Sequence, residues 1–156
     1  MSNIFNDDFQ DFLQAFNKRE VKYLLIGGYS VILHGYSRTT GDMDLWVEKT
    51  EENYGKIVKA FVDFGMPIFD MTIDNFLRNP IYDVFTFGRP PVAIDVLTSV
   101  KKLIFEEAYE KRVNYQIDDH LNIPLIHYDD LIAVKKAVGR PRDLNDIEHL
   151  RRDNLD

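Results

Sequence analysis

One strand-like segment, residues 92–97 (VAIDVL), limits the folds open to this chain more than any other feature. Its apolar side chains fall on both faces of the predicted strand, a pattern typical of a strand that is covered on both sides. Helical and strand patterns also alternate along the whole sequence, without a repeat or a low-complexity tract. This alternation predicts an α/β or α+β layer architecture.

Apolar periodicity and capping residues place the predicted elements. Helices are expected at about residues 7–18, 29–34, 51–64, 101–111, 130–138 and 142–152. Strands are expected at about residues 21–26, 43–47, 83–87, 92–97, 113–117 and 121–125, the third and fourth forming a hairpin around Gly88-Arg89-Pro90-Pro91. We expect one domain over residues 1–156, with a core at about 20–125 and a C-terminal helical part at about 128–153.

Composition excludes several classes of protein. The absence of cysteine rules out disulfides, thiol nucleophiles and metal sites built on cysteine. A net charge of -7 argues against a protein that coats nucleic acid through a basic face. The N-terminal segment is acidic where a signal peptide would be basic and then apolar, and no apolar run approaches the ~20 residues that span a bilayer. We therefore expect a cytoplasmic protein without membrane association.

The segment 41–47 (GDMDLWV) brings two carboxylates together. Because side chains alternate along a strand, Met43, Leu45 and Val47 are predicted to point into the core. Asp42 and Asp44 then project together from the opposite face. Two neighbouring carboxylates repel each other, and a hard divalent cation such as Mg²⁺ relieves that repulsion. A solvated strand edge is the alternative interpretation of the same pair.

Asp95 is the single charge in the segment 92–97. Because the burial of an unpaired carboxylate is costly, this side chain is expected either in an ion pair or on a metal. Arg38 and Arg89 are the candidate ion-pair partners. The alternative is that Asp95 is a third metal ligand beside the two aspartates of the earlier strand.

Gly27 and Gly28 follow a short apolar strand and precede a predicted helix. Glycines let backbone N–H groups approach a phosphate closely, and a helix N-terminus favours an anion, although a simple turn would also explain the pair. The hydroxyl of Ser30 either contacts phosphate or caps the helix. His34, one turn later, is predicted to be a structural residue at the helix end.

A run without acidic residues carries Lys135, Lys136, Arg140 and Arg142. Helical spacing places Lys135 at the edge of an apolar stripe and Lys136 in solvent. A lysine at such an edge either meets an anion or extends its ammonium into solvent. Asp143 opens the last predicted helix, and its spacing lets it face Lys135. The basic run is therefore either part of a binding site or an ordinary solvated helix end.

Together these residues resemble the nucleotidyltransferase superfamily that includes DNA polymerase beta. The most specific stretch is residues 27–44 (GGYSVILHGYSRTTGDMD), followed by Asp95 on a later strand. Residues 135–146 (KKAVGRPRDLND) are similar to the closing helices of small bacterial members, the minimal nucleotidyltransferases and those of abortive-infection and toxin–antitoxin systems. The likeness covers most of residues 20–150. The family often has serine directly after the glycines, whereas here Tyr29 follows Gly28.

The resemblance implies a fold, a reaction and a set of site residues. The fold is a mixed β-sheet flanked by helices, with further helices at its C-terminal end. The reaction is transfer of a nucleoside monophosphate from an NTP to an acceptor hydroxyl, with release of pyrophosphate. Asp42, Asp44 and Asp95 hold two Mg²⁺ ions, or Mn²⁺ in their place, and Asp95 also accepts the acceptor's proton. The phosphates contact Gly27, Gly28, Ser30, Arg38 and Lys135.

Two other functions fit the same carboxylates. A metal-dependent phosphohydrolase would use them with water as acceptor and would not need the glycines. A binding protein or antitoxin with an inactive nucleotidyltransferase fold would not need the intact carboxylate set that this chain has.

The transferase interpretation also predicts an acceptor and a setting. The acceptor, an RNA end or a hydroxyl of a partner protein, is expected to dock beside the basic residues Lys136, Arg140, Arg142, Arg151 and Arg152. The resemblance further implies a role in a toxin–antitoxin or phage-defence system, with a cognate partner protein.

Overall fold

A computed structural model describes residues 5–89 and 92–153, which form a six-stranded β-sheet flanked by seven helices. The strands are β1 (Tyr23–Ile26), β2 (Met43–Val47), β3 (Val84–Arg89), β4 (Val92–Leu97), β5 (Val113–Asp118) and β6 (Leu121–Leu125). The helices are α1 (Asp7–Lys18), α2 (Gly27–Leu33), α3 (Glu51–Phe64), α4 (Ile73–Leu77), α5 (Phe105–Glu110), α6 (Tyr128–Val138) and α7 (Pro141–Asp153). Within these ranges no helix has the length and apolar character needed to cross a membrane.

The sheet is mixed, with the strand order β3-β4-β2-β1-β6-β5. Near its centre, β2 pairs antiparallel with β1 and parallel with β4. β1 runs parallel to β6, and the outer pairs β3–β4 and β5–β6 are antiparallel. The predicted α/β class and the mixed sheet are therefore confirmed. The parallel pairing of β2 with β4, which sequence reasoning did not predict, brings two distant segments side by side.

Helices cover both faces of the sheet. On one face, α1 and α3 pack aromatic and aliphatic side chains around strand residues such as Leu45. On the other face, α5, α6 and α7 pack around Trp46, whose ring lies 5.2 Å from that of Phe105. Because neighbours on a strand point to opposite faces, Asp44 and Asp95 share the face of Trp46. The two acids therefore lie at the border of the second core.

The predicted bounds of α1, β2, α3 and β4 are confirmed. Local capping explains the two helices. The side chain of Asn6 accepts a hydrogen bond of 2.8 Å from the backbone N–H of Phe9 and begins α1. Thr50 caps α3 in the same way, and Gly65 ends it in a left-handed conformation with a φ of 86°.

β1, β5, α6 and α7 begin or end one or two residues from their predicted bounds, and four further elements also differ from the prediction. α2 begins at Gly27, so the glycines belong to the helix itself. α5 begins at Phe105 because Lys102 has a φ of 69°, which a right-handed helix does not accommodate. The five-residue α4 is too short to show a helical period in the sequence. β3 extends to Arg89, which pairs with Val92, so Gly88 and Arg89 belong to the strand and not to the predicted turn. Pro90 and Pro91, the other residues of that predicted turn, lie outside the described residues.

Candidate active site

Three carboxylates line one cleft at the sheet. Asp44 of β2 lies opposite Asp95 of β4 in the register of these parallel strands, and both side chains are half-buried. Asp42 directly precedes β2, just outside the strand on which it was predicted, and still lines the cleft. The cleft has a volume of 660 Å³ and is lined by Gly27, Gly28, Arg38, Thr39, Thr40, Gly41, Asp42, Asp44, Asp95, Lys135, Arg140 and Arg142.

Asp95 is oriented by a neighbour on the edge strand. The hydroxyl of Thr86, which faces Asp95 across β3 and β4, donates a 2.7 Å hydrogen bond to Oδ1 of this carboxylate. Arg38, one of the two predicted ion-pair partners, binds Asp146 instead. Among the described residues, no salt bridge joins Asp95 to Arg89 either. The ion-pair alternative is therefore not what the structure shows, and the Asp95 carboxylate stays on the cleft wall.

Several effects together raise the pKa of Asp44 to about 7. Burial is the largest, followed by the charge of Asp95, a hydrogen bond between the two carboxylates and the charge of Asp42, whereas Lys135 lowers the pKa. Near neutral pH Asp44 is therefore partly protonated unless another positive charge takes the place of the proton. A divalent cation in the cleft would supply that charge.

Gly27 and Gly28 form the first turn of α2, directly against this carboxylate strand. Gly27 has a φ of 72°, and a Cβ at this position would overlap the carboxylate of Asp44. A Cβ at Gly28 would overlap the side chain of Thr40. Because glycine has no Cβ, the backbone reaches the cleft beside Asp44 without displacing either side chain.

Ser30 and His34 do not line the cleft. Ser30 is fully buried, and its hydroxyl donates a 2.6 Å hydrogen bond to the carbonyl oxygen of Gly27. The structure therefore directs the hydroxyl of Ser30 into α2 and not into the cleft, because each helical residue is rotated by about 100° from its predecessor, and the expected contact of Ser30 with phosphate stays a prediction. Nε2 of His34 lies 2.7 Å from the carbonyl oxygen of Ile126, and burial lowers the pKa of this histidine. His34 thus has the predicted structural role.

Lys135 and Lys136 lie on different sides of α6, one buried and one exposed. The side chain of Lys135 is 8% exposed, and its Nζ lies 3.2 Å from Oδ1 of Asp143 and 3.0 Å from Oδ2 of Asp146. Lys136 is exposed. Helical spacing predicts Lys135 at the edge of the apolar stripe, Lys136 in solvent and Asp143 facing Lys135, and the structure has each residue in that position.

Asp143 and Asp146, one turn apart on α7, also hold two arginines. Arg38 donates to both oxygens of Asp146 at 2.9 and 3.0 Å, and Nε of Arg140 donates to Asp143 at 2.7 Å. Hydrogen bonds from Arg140 and Lys135 lower the pKa of Asp143 against the opposing effect of burial. Every carboxylate oxygen of these two buried acids therefore meets a cation, and α7 fixes three cations at the cleft wall.

Sequence reasoning gave Asp146 and Thr86 no role. For Asp146, the available signal in the sequence is its spacing, three residues after Asp143 on one helix face.

The predicted basic cluster is partly paired in the structure. Arg140 binds Asp143, and Arg152 binds Glu148 at 2.8 Å, while Arg142 lines the cleft. Of this cluster, Arg140 and Arg152 are thus paired with carboxylates, and Lys136, Arg142 and Arg151 are exposed.

The donor set of the cleft fits a hard divalent cation. Asp42, Asp44 and Asp95 offer carboxylate oxygens, the ligands that Mg²⁺ prefers. The raised pKa of Asp44 reflects its burial and then the neighbouring negative charge, which a cation would neutralise. In the described part of the chain, however, no three acidic or histidine side chains are already drawn together as a metal site. The three carboxylates would therefore have to close around the ion.

Comparisons with known proteins agree with this geometry. A family model described as "Nucleotidyltransferase of unknown function (DUF6036)" matches residues 6–151. The fold is similar to that of the lincosamide antibiotic adenylyltransferase LnuA with bound lincomycin, at 17% identity and a TM-score of 0.57, covering 96% of this chain and 98% of that one. It is also similar to TM1012 from Thermotoga maritima, described as a nucleotidyltransferase, at 11% identity and a TM-score of 0.54, covering 92% and 88%. No curated protein sequence matches the chain.

At these identities the two solved structures support the fold alone. The family model, in contrast, spans nearly the whole chain, including the carboxylates, the glycines and the lysine of the cleft. The chain is therefore a nucleotidyltransferase and belongs to the DUF6036 family.

Proposed function

We propose that this enzyme transfers a nucleoside monophosphate from an NTP to an acceptor hydroxyl and releases pyrophosphate. The observation that carries the proposal is that one cleft is lined by both acidic and basic side chains. Asp42, Asp44 and Asp95 supply the carboxylates, and Arg38 and Lys135 are among the cations. A triphosphate needs cations and close backbone approach, whereas transfer of the nucleotidyl group from pyrophosphate to a hydroxyl needs carboxylates that hold divalent metal.

Asp42, Asp44 and Asp95 are the residues that would hold the metal, which we propose to be two Mg²⁺ ions with Mn²⁺ as a substitute. When bound, such ions lower the pKa of the attacking hydroxyl and neutralise charge on the phosphates and the leaving group. The pairing of β2 with β4 keeps Asp44 and Asp95 adjacent in the absence of metal.

Four groups of this chain would bind the phosphates. The backbone of Gly27 and Gly28 reaches the cleft because neither residue has a Cβ, and Arg38 and Lys135 add positive charge. Both cations are already held by Asp146, so little side-chain entropy is lost when they bind an anion. Fixed donors of this kind also stabilise charge that develops during transfer.

Asp95 is the proposed acceptor of the hydroxyl proton. As the proton moves to Asp95, the acceptor oxygen forms a bond to the α-phosphorus, and the bond from this phosphorus to the bridging oxygen breaks. Pyrophosphate leaves with that electron pair. Thr86 donates to one oxygen of Asp95 and thereby fixes the orientation of the carboxylate during this step.

An RNA end is the proposed acceptor. The support is the exposed Arg142 on the cleft wall, with the exposed Lys136 on the neighbouring helix, in a chain that is otherwise acidic. A hydroxyl of a cognate partner protein, as in a toxin–antitoxin or phage-defence pair, is the second acceptor to be tested. The solved neighbour that acts on a lincosamide antibiotic adds a small-molecule hydroxyl as the third.

One labelling experiment distinguishes these acceptors. The protein is incubated with each α-labelled NTP, Mg²⁺ and a cell extract, and the labelled product is treated with nuclease or protease. An RNA acceptor predicts label that nuclease removes, that falls steeply with added salt, and that weakens in Arg142→Ala without a change in NTP binding. Label that resists nuclease, is lost to protease and is insensitive to salt would identify the protein acceptor instead.

The same experiment tests the other two functions. A phosphohydrolase would convert the NTP without labelling any acceptor, and an inactive binding protein would leave the NTP unchanged. Asp44→Asn is the matched negative control, because it keeps the size of the side chain and removes its charge. Transfer that survives in Asp44→Asn would contradict the proposed role of the carboxylates.

A further inference from the structure

A second cavity, with a volume of 260 Å³, adjoins the cleft beneath α6. Its apolar lining comes from β1, β4, α6, the loop after β4 and the residue that follows β6, and consists of Ile26, Leu97, Val100, Ile126, Leu131, Val134 and Val138. Four residues line both spaces, namely Gly27, Asp44, Lys135 and Arg140. The cavity therefore lies directly beside the proposed phosphate-binding region of the cleft.

We infer that this cavity binds the nucleobase of the NTP, an assignment that rests on the proposed function. The position of the cavity indicates that the nucleobase is the part of the NTP that binds there. Asp95, where the acceptor hydroxyl must arrive, does not line it, and neither do Gly28 and Arg38 at the phosphate end of the cleft. Asp44, beside the reacting α-phosphate, does line it. The nucleoside attached to that phosphate is the remaining part that can enter.

The chemistry of the cavity suits a flat heteroaromatic ring. At ~30 Å³ per water, its volume corresponds to roughly nine waters, enough for a ring system but not for a nucleoside triphosphate. The faces of a base are apolar and pack on aliphatic side chains, and its polar edge can reach Ser99 and Lys101, which also line the cavity.

The apolar stripe of α6 supports the same assignment independently. Leu131 is buried in the core, but Val134, one turn later, is half-buried and Val138 is 38% exposed. The stripe thus continues beyond the part of α6 that the core covers, and both valines border the cavity. A bound base would cover this remaining apolar surface.

Binding measurements on the full chain test the inference. Titration calorimetry in the presence of Mg²⁺ compares the four NTPs with inorganic tripolyphosphate. The wild type is expected to bind its preferred NTP about tenfold more tightly than tripolyphosphate, because base packing adds to phosphate binding. Val134→Phe, which fills the cavity, should remove most of this difference and leave tripolyphosphate affinity within about twofold. Val62→Phe, at a valine of α3 that is 74% exposed, is the matched control.

A second variant covers the case in which Val134→Phe does not fold. Val138→Asp places a charge at the exposed end of the stripe and should weaken NTP binding selectively, whereas Leu144→Asp, at a 54% exposed position of α7, should not. NTP binding that equals the wild type in Val134→Phe or Val138→Asp would overturn the assignment, even if transfer to the acceptor slowed. A wild type that binds neither NTP nor tripolyphosphate would instead overturn the proposed function.

Discussion

The ammonium of Lys135 lies 3.0 Å from a carboxylate oxygen of Asp146, and the two side chains are 8% and 0% exposed. The pair joins α6 to α7 directly behind the cleft. The same acid also binds Arg38, from the loop that precedes the carboxylate strand β2. One buried side chain of α7 therefore sets the positions of two cations that line the site.

The first prediction compares the two adjacent lysines of α6. Lys135→Ala should abolish measurable NTP binding and lower the free energy of unfolding by about 2–4 kcal/mol, because it leaves two buried carboxylates with fewer cations. Lys136→Ala, at an exposed position, should bind NTP like the wild type. Calorimetric NTP titration and chemical denaturation measure the two effects.

The variant Lys135→Ala/Asp143→Asn separates the two effects and leaves the pair of Arg38 with Asp146 intact. Removing the charge of Asp143 as well should restore part of the stability, because one buried carboxylate fewer lacks the ammonium and Arg140, the other partner of Asp143, is 64% exposed, but it should not restore NTP binding. Recovery of NTP binding together with stability would mean that Lys135 acts only on the structure. Equal losses from the two single lysine variants would indicate a diffuse charge field instead of one directed ammonium.

The second prediction concerns stability against pH without metal. The folded-state pKa of Asp44 is about 7, above the ordinary aspartate value, so the folded form binds more protons than the unfolded chain between about pH 4 and pH 7. Stability should therefore fall as the pH rises through this range. Asp44→Asn should be more stable than the wild type at pH 8, by up to about 4 kcal/mol, and the difference should shrink toward pH 4.

Thermal unfolding in a chelator, from pH 4 to pH 8, measures this difference. Addition of Mg²⁺ at pH 8 should stabilise the wild type and not Asp44→Asn, because the cation neutralises the negative charge that a proton on Asp44 neutralises at lower pH. A metal-free Asp44→Asn that is clearly less stable than the wild type at pH 8 would show that Asp44 is not under charge repulsion.

The third prediction uses two glycines with similar backbone angles. Gly65→Ala, at a φ of 86° with open space around the Cβ, should cost about 1–2 kcal/mol of stability through strain alone. Gly27→Ala, at a φ of 72°, carries the same strain and also pushes its Cβ into the Asp44 carboxylate. Gly27→Ala should therefore lose transfer activity as well, whereas Gly65→Ala should keep it at temperatures where both are folded. Full activity in folded Gly27→Ala would rule out the tight contact with Asp44.

The elements that sequence reasoning predicted correctly are those with strong local signals. α1 and α3 have regular apolar stripes between capping residues, and β4 has apolar side chains on both faces. The sequence predicts that α5 begins near residue 101, which is too early, because the left-handed conformation of Lys102 cannot be read from an otherwise helical pattern. Local patterns also carry no information on the parallel pairing of β2 with β4.

The residues of the candidate site also differ in how strongly the local sequence predicts them. The carboxylates could be predicted because a charge within an apolar strand is costly and therefore conspicuous. For Asp146 the spacing after Asp143 is only a weak signal, because an acid on a polar helix also has the pattern of a solvated face, and its partner Arg38 lies 108 residues away in the sequence. The family resemblance implies that Ser30 contacts phosphate, whereas in the structure its hydroxyl donates a hydrogen bond to the carbonyl oxygen of Gly27 within α2.

The last prediction concerns Asp95 and its neighbour Thr86. If Asp95 is a metal ligand, Mg²⁺ with NTP at about 100 times the wild-type Kd should stabilise the wild type by about 2.7 kcal/mol. A tenfold weaker complex in Asp95→Ala would be stabilised by about 1.4 kcal/mol at the same concentration. Thr86→Val is the matched control, since it removes the 2.7 Å hydrogen bond to Asp95 but keeps the carboxylate. It should retain most of the stabilisation and lose transfer rate, because Asp95 is no longer held in one orientation. Equal stabilisation of wild type and Asp95→Ala in thermal unfolding would remove Asp95 from the metal site.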